Sequence, residues 1–175
     1  MTIFEVVKAD ITTLENVEAI INASHESGLG CHIPNHCIDN VIHTKAGPKL
    51  KEECAKFNGI PTGVPKITNA YDLPCKYVIH VTGPRAHESK PLEFDVLANC
   101  YTSCLDLAVL HKISTIAFCC VSTGQFGYPK RESAGVAVEA CRSWTKSHAY
   151  KFERIVFCVW TWEDLHAYSN VLDGL

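Results

Sequence analysis

The chain alternates between short apolar runs and longer stretches in which apolar residues recur every three or four positions. Short apolar runs bounded by turn residues predict strands, and the wider spacing predicts amphipathic helices. The predicted strands are Ile3–Lys8, Glu18–Asn22, Val64–Ala70, Tyr77–Val81, Ser114–Val121 and Arg154–Trp160. The predicted helices are Pro34–Ala46, which Gly47 ends, and then Pro48–Phe57, Glu93–His111, Arg131–Ser147 and Trp162–Leu172.

The order of these elements predicts the fold class. Ser114–Val121 and Arg154–Trp160 are almost continuously apolar, as expected of strands that helices cover on both faces. Alternating strands and helices of this kind predict a three-layer α/β architecture. Because no repeat or linker interrupts the pattern, we expect residues 1–175 to form a single domain. Ligands of such folds bind at the carboxyl ends of the strands, where residues 24–37 and 122–129 are both expected to lie.

Composition and charge narrow the class of protein. Apolar residues make up 47% and charged residues 20%, which is typical of a globular protein. The net charge of -3 gives no indication of nucleic acid as a partner, and no apolar run is long enough to span a membrane. Most of the ten cysteines lie in apolar runs, and the first ten residues lack the features of a signal peptide. We therefore expect reduced thiols and a soluble, cytoplasmic protein.

A cluster of potential metal ligands precedes the first predicted helix. Cys31, His36 and Cys37 can offer one imidazole and two thiolates to a single ion, and three protein ligands are typical of a catalytic zinc site. His32 is a competing ligand, and the alternative is that these side chains bind no metal. His43 and His80 lie among apolar neighbours, so we interpret both as packed, hydrogen-bonded histidines.

The segment Ser122–Gly127 lies between a buried strand and a helix, and it contains two glycines. Successive backbone N–H groups in such a loop can bind an anion. The loop lacks the Gly-Lys-Ser/Thr ending of a Walker motif, and its alternative interpretation is an ordinary strand-to-helix turn.

Three further polar residues each have two interpretations. Asp10 can cap a turn or bind an exocyclic amine, Asn22 can bind loop backbone or a sugar hydroxyl, and Asp39 can favour the helix dipole or orient a ligand.

Taken in order, these motifs resemble a macrodomain, the ADP-ribose-binding α/β module. The matching segments are Ala9–Thr12, Ala19–Ala23, Ile38–His43, Ala46–Gly47, Thr62–Gly63, Ile67–Thr68, Leu73–His80, Gly83–Pro84 and Ser122–Gly124. The resemblance implies a three-layer α/β/α fold with a mixed, mostly parallel central sheet. Most macrodomains carry a run of glycines where this chain has Gly30–Cys37. The cysteine and histidine version is similar to the zinc-dependent branch, which hydrolyses ADP-ribose from modified proteins.

The resemblance also implies a role for each site residue. Asp10 and Ile11 are expected to hold adenine, and Asn22 and Asp39 to address the distal ribose as the catalytic residues. The diphosphate is expected to lie against Ser122, Thr123, Gly124, Gln125, Phe126 and Gly127. The expected ligands of Zn²⁺, beside the scissile bond, are Cys31, His36 and Cys37.

The chain departs from the zinc-dependent pattern near the metal ligands. His36 and Cys37 are adjacent, where the branch usually has one residue between them. Adjacent residues can reach one ion only from irregular backbone, so the helix is expected to begin later than its apolar pattern suggests. Ala9 replaces the usual Gly, and His25 replaces a second Asn in the Asn22 motif.

The sequence thus predicts a zinc-dependent hydrolase that removes ADP-ribose from modified proteins, most readily from an ester to Asp or Glu. Its expected partners are ADP-ribose and an ADP-ribosylated protein, with neither nucleic acid nor membrane involved. The alternatives are a binding module without turnover, a deacetylase of O-acetyl-ADP-ribose and, more remotely, a redox sensor that uses Cys31 and Cys37.

Overall fold

The computed structural model describes residues 1–31, 37–88 and 90–174. Within them the chain forms six strands, five α-helices and one 3₁₀ turn at Ile11–Thr13. The strands are β1 (Ile3–Lys8), β2 (Ala19–Ala23), β3 (Lys66–Asn69), β4 (Tyr77–Val81), β5 (Thr115–Phe118) and β6 (Arg154–Val159). The helices are α1 (Ile38–Ala46), α2 (Pro48–Ala55), α3 (Phe94–Leu110), α4 (Lys130–Ser147) and α5 (Trp162–Asp173).

The strands form one sheet in the order β1-β6-β5-β2-β4-β3. All neighbouring pairs are parallel except β3 and β4, which pair antiparallel at one edge. Parallel neighbours require crossover connections, and the helices of the second half supply them, whereas a short connection suffices between β3 and β4. The predicted α/β/α fold with a mixed, mostly parallel sheet is therefore confirmed.

The helices pack in two groups, one on each face of the sheet. Helices α1 and α2 contact each other and lie against β2 and β3, whereas α3, α4 and α5 pack side by side. Tyr101 of α3 and Tyr168 of α5 contact Phe118 and Phe157 of the central strands, with ring centroids 5.0 and 5.1 Å apart. These four side chains are almost fully buried, so this face forms a continuous aromatic core beneath the helices.

Two elements beside the loops are shorter than their apolar patterns predict. Helix α1 begins at Ile38 and not at Pro34, because Cys37 is extended (φ -143°, ψ 151°) and stands at the N-cap. The later start was expected from the adjacent His36 and Cys37. Strand β5 ends at Phe118, three residues before Val121, where the chain turns into the loop.

All ten cysteines fall within the described ranges, and each is a free thiol, as predicted. Burial raises the pKa of most of them; that of Cys119, for example, rises to about 12, so these thiols stay protonated near neutral pH. Among the described residues, none of the helices combines the length and apolarity that crossing a bilayer requires.

Candidate functional site

A cleft of about 640 Å³ opens at the carboxyl ends of the central strands. Its walls include the residues that follow β1, β2, β5 and β6, together with the first turns of α1 and α4. The volume lies within the range typical of small-molecule sites. The sheet order places the ends of β1 and β6 on one side, the loop after β5 in the middle and the end of β2 on the other side. At about 4.8 Å between strands, the cleft crosses roughly 10 to 15 Å of the sheet.

Asp10 and Ile11 line the end of the cleft beside β1 and β6. Asp10 caps the 3₁₀ turn, because its Oδ1 accepts hydrogen bonds from the backbone N and the hydroxyl of Thr12, at 2.9 and 2.6 Å. The capping interpretation is therefore correct. The cap uses Oδ1 of Asp10. The additional contact of Asp10 with adenine stays a prediction. Ile11 is buried and supplies an apolar wall.

The same end of the cleft contains an aromatic residue that the sequence reasoning missed. Trp160 follows β6, lines the cleft and remains 70% exposed. An exposed indole is unusual directly after a buried strand, and a flat aromatic face is suited to stacking on a planar base. The position of Trp160 at the carboxyl end of a central strand is the feature of the sequence that could have indicated a role in binding.

The loop after β5 carries backbone N–H groups that bond to no backbone acceptor in the part of the chain that the structure describes. Five of its six predicted residues line the cleft, the exception being Gly127. Within the described chain, the N–H groups of residues 123–126 have no backbone partner, whereas those of Gly127 and Tyr128 bond to Gly124 and Ser122 at 3.1 and 2.9 Å. The loop is therefore closed on itself at its base, and its four other N–H groups are available to an anion.

The loop after β4 holds this donor loop in place. Ser122 has φ +66°, and its hydroxyl donates to the carbonyl of Pro84 at 2.7 Å. The contact is so close that a Cβ added to Gly83 would lie 2.1 Å from Ser122 Oγ. The guanidinium of Arg85 lies 4.4 Å from the Phe126 ring centroid and also pairs with Glu26. Arg85 therefore connects three loops around the cleft, a role that the sequence did not indicate.

Two of the three predicted metal ligands meet at the opposite end of the cleft. Cys31 and Cys37 both line it, both are partly exposed, and their thiols are in hydrogen-bonding contact. Burial, with the adjacent Cys31 thiol, raises the pKa of Cys37 to about 12 in the absence of an ion. Asn40 fixes this approach by donating from its amide to the Cys31 carbonyl at 3.1 Å. His36 and the competing His32 lie outside the described residues. The two thiols form a donor pair that suits zinc.

Asp39 lies beside this thiol pair, in the first turn of α1. It is almost fully buried but reaches the cleft wall. Its Oδ1 accepts from the side-chain amide of Asn22 at 2.8 Å, and its Oδ2 accepts from the backbone N of His25 at 3.0 Å. Asn22 itself is fully buried and stands behind the wall, so the structure joins it to Asp39. Direct contact between Asn22 and a ligand stays a prediction.

The remaining histidines differ in how well their nitrogens are satisfied. His80 is fully buried and hydrogen-bonded, as predicted. His43 is also packed, but neither of its ring nitrogens has a hydrogen-bond partner in the described part of the chain; its Nε2 lies 3.5 Å from Asp39 Oδ1. The imidazole of His25 lines the cleft and pairs with Ser27.

A mixed six-stranded sheet in this order, with helices on both faces and a cleft at the carboxyl ends of its central strands, defines the class of fold. The chain belongs to the Macro domain family, whose model matches residues 21–137. It is 43% identical over 174 residues to a "Protein-ADP-ribose hydrolase" of Staphylococcus aureus, covering 95% of this chain and 65% of that protein. It is also 43% identical over 166 residues to the Bos taurus "ADP-ribose glycohydrolase MACROD1", covering 94% of this chain and half of that protein.

Solved structures show the same fold. A Trypanosoma brucei macrodomain in complex with ADP-ribose superposes with a TM-score of 0.86 at 33% identity, covering 95% of this chain and 68% of that one. The match to the S. aureus protein covers almost all of this chain but a little under two thirds of that protein's length.

Proposed function

We propose that this chain hydrolyses the bond between ADP-ribose and a modified protein, with zinc held by Cys31, His36 and Cys37. One observation carries the proposal: a loop with four N–H groups that lack backbone partners among the described residues lies in the middle of the cleft, and the thiol pair and the buried carboxylate of Asp39 lie at one end. The names of the S. aureus and B. taurus relatives support the reaction class.

We assign the parts of ADP-ribose to the cleft in order. We assign adenine to the space between Ile11 and Trp160, where one buried and one exposed apolar side chain line the cleft. We assign the diphosphate to the N–H groups of residues 123–126, which have no backbone partner among the described residues. Neutral donors suffice there because N–H groups that point into one concavity attract an anion. These contacts supply remote binding energy that fixes the distal ribose at the Asp39 end.

At that end, this chain's own residues orient the reacting groups. Asp39 is held by two hydrogen bonds, so its carboxylate is fixed before a substrate arrives. We assign it to accept the proton of the water that adds to the anomeric carbon, while the bond from that carbon to the substrate carboxylate breaks. The leaving carboxylate of Asp or Glu departs as an anion and needs no proton, which is why an ester is the preferred linkage. Zinc, when bound, would polarise a ribose oxygen or lower the pKa of a water.

The test combines metal content with turnover. Purified protein is assayed for zinc and for ADP-ribose release from an aspartate-modified protein and, separately, from O-acetyl-ADP-ribose. We expect one zinc per chain, with Cys31→Ala and Cys37→Ala each losing the metal and about a hundredfold or more in rate. Cys75→Ala is the matched control, because this buried thiol precedes β4 at the opposite edge of the sheet and should keep both.

Other results would contradict the proposal in different parts. Full rates in both cysteine variants after chelation would contradict the zinc assignment alone. Tight ADP-ribose binding with no turnover of either substrate would indicate a binding module, and turnover of the small ester alone would indicate a deacetylase.

A further inference from the structure

A buried row of polar side chains runs from the edge of the sheet to the candidate site. Asn22 of β2 and His80 of β4 are direct register partners in a parallel pair, so their side chains project from the same face of the sheet. On that face Asn22 meets Asp39 of α1, and His80 meets Thr68 of β3. Asn22, His80 and Thr68 are each at most 2% exposed, so water cannot substitute freely for these partners.

The hydrogen bonds leave a single orientation for the Asn22 amide. Its Nδ2 lies 2.8 Å from Asp39 Oδ1 and 3.1 Å from His80 Nδ1, so the two amide protons have two acceptors. The reversed amide would place its carbonyl oxygen against the carboxylate of Asp39, which can only accept when ionised. The Asn22 carbonyl oxygen itself has no partner within the described residues. The amide is therefore oriented by its two acceptors.

The same geometry fixes the tautomer of His80. Because Nδ1 accepts from Asn22, the ring proton resides on Nε2, which donates to Thr68 Oγ1 at 3.0 Å. Burial, and then the nearby His43, lowers the pKa of His80 to about 3, so the ring stays neutral in any ordinary assay. The Thr68 hydroxyl accepts the Nε2 proton of this tautomer, in which Nδ1 stays an acceptor for Asn22.

A metal site is the competing interpretation of this region. Ligand atoms of His43, Cys54 and His80 all lie within 4.8 Å of one another, close enough to converge on an ion. An ion on His80 Nε2 would transfer the ring proton to Nδ1, where it would face the N–H of Asn22. Because that exchange breaks the hydrogen bond that holds Asn22, the observed network favours a hydrogen-bonded role over a metal-binding one.

We infer that His80, anchored by Thr68, is a positioning residue that orients the Asn22 amide and through it the carboxylate of Asp39. The inference rests on the proposed function, since it assigns to Asp39 a role in hydrolysis. It concerns the rate of the chemical step and leaves binding of ADP-ribose largely unaffected, because His80 does not line the cleft.

Two isosteric replacements test it. In His80→Asn, an amide oxygen can occupy the position of Nδ1 and accept from Asn22, whereas His80→Gln retains a polar atom near Nε2 and removes the acceptor from Nδ1. We expect kcat in His80→Asn within about threefold of wild type, kcat in His80→Gln reduced about tenfold or more, and the Kd of ADP-ribose little changed in both. Both variants lose the imidazole ring, so each is a packing control for the other.

The side-chain NH₂ resonances of Asn22 give a readout that does not require activity. The exchange of these amide protons with water should stay slow in His80→Asn, where an acceptor remains, and become faster in His80→Gln. Equal rates in the two variants, or losses that follow only their melting temperatures, would overturn the inference, as would equal exchange of the Asn22 amide protons in both. If wild-type protein shows no turnover, the proposed function fails, and the resonances still decide the role of His80.

Discussion

The carboxyl ends and the amino ends of the central strands, which form the carboxyl edge and the amino edge of the sheet, differ in how their polar groups are hydrogen-bonded. At the carboxyl edge, four N–H groups of residues 123–126 and the carbonyl oxygen of Asn22 lack partners within the described chain. At the amino edge, Glu18 Oε1 alone accepts from the backbone and the hydroxyl of both Ser114 and Thr115. Residues 123–126 are partly or fully exposed, so water satisfies their N–H groups until a ligand displaces it, whereas the groups bonded to Glu18 hold two strands together. Substitutions at the carboxyl edge should therefore affect function, and those at the amino edge should affect stability.

The largest effect is expected at Asp39. Replacing it by Asn removes the fixed carboxylate at the reaction end of the cleft and leaves the Asn22 amide facing another amide. We expect Asp39→Asn to reduce the rate of ADP-ribose release about a hundredfold or more. Single-turnover assays measure this, with Asp173→Asn at the exposed end of α5 as the control. A rate within threefold of wild type would remove Asp39 from the mechanism.

A smaller functional loss is expected when the donor loop is displaced. A methyl group at Gly83 would lie 2.1 Å from Ser122 Oγ and 2.7 Å from Val121, so Gly83→Ala must shift the base of the loop. We expect the affinity for ADP-ribose to fall about tenfold, as measured by calorimetry. Gly135→Ala is the matched control, because nothing lies within 4 Å of its added Cβ and alanine favours a helix. Equal affinities in the two variants would contradict the role of the Ser122 contact.

Loss of the Arg85 contacts with the donor loop should reduce the affinity for ADP-ribose less. Arg85→Ala removes the cation that lies 4.4 Å from the Phe126 ring and the ion pair with Glu26. We expect ADP-ribose affinity to fall about threefold, with a similar change in Arg85→Lys, since lysine cannot stack a planar group on the ring. Full affinity in Arg85→Ala would show that the other loop contacts suffice.

The smallest and purely structural effect is expected at Glu18. Hydrogen bonds from Ser114 and Thr115 outweigh the cost of burial and lower the pKa of its carboxyl. A lowered pKa in the folded state stabilises the protein above the unfolded-state pKa, and the contribution is lost as pH falls towards the folded-state pKa. Glu18→Gln should therefore unfold about 1 kcal/mol more easily at pH 7, and this difference should shrink in acid.

Urea unfolding at several pH values measures the Glu18 effect, with Glu52→Gln at an exposed position of α2 as control. ADP-ribose affinity should be unchanged in Glu18→Gln. A stability difference that grew as pH fell would contradict the assignment, and a large loss of affinity would contradict the separation of the two edges.

Local patterns predicted most of the fold. The bounds of β1 and β4 coincide with their apolar runs, and the helices of the second half begin and end within two residues of their predicted limits. The start of α1 differs from the apolar pattern because Cys37 adopts an extended N-cap conformation, which hydrophobic spacing does not report. Val64 falls outside β3, next to a proline that lacks the N–H a ladder needs.

The site could be predicted only where its residues are neighbours in sequence. The donor loop and Asp10 follow strands directly, so their position at the cleft follows from the order of elements. The bond from Asn22 to His80 joins positions 58 residues apart and depends on the register of β2 with β4. The contact between Arg85 and Phe126 and the exposure of Trp160 depend on the three-dimensional fold, so the spacing of residues along the sequence does not predict them.

The most direct test of the proposed binding mode is a crystal structure of the Asp39→Asn variant with ADP-ribose and zinc. We expect diphosphate oxygens within hydrogen-bonding distance of the N–H groups of residues 123–126, adenine against Trp160, and the distal ribose beside residue 39 and the thiols of Cys31 and Cys37. A nucleotide bound in the reverse direction, or outside this cleft, would contradict it.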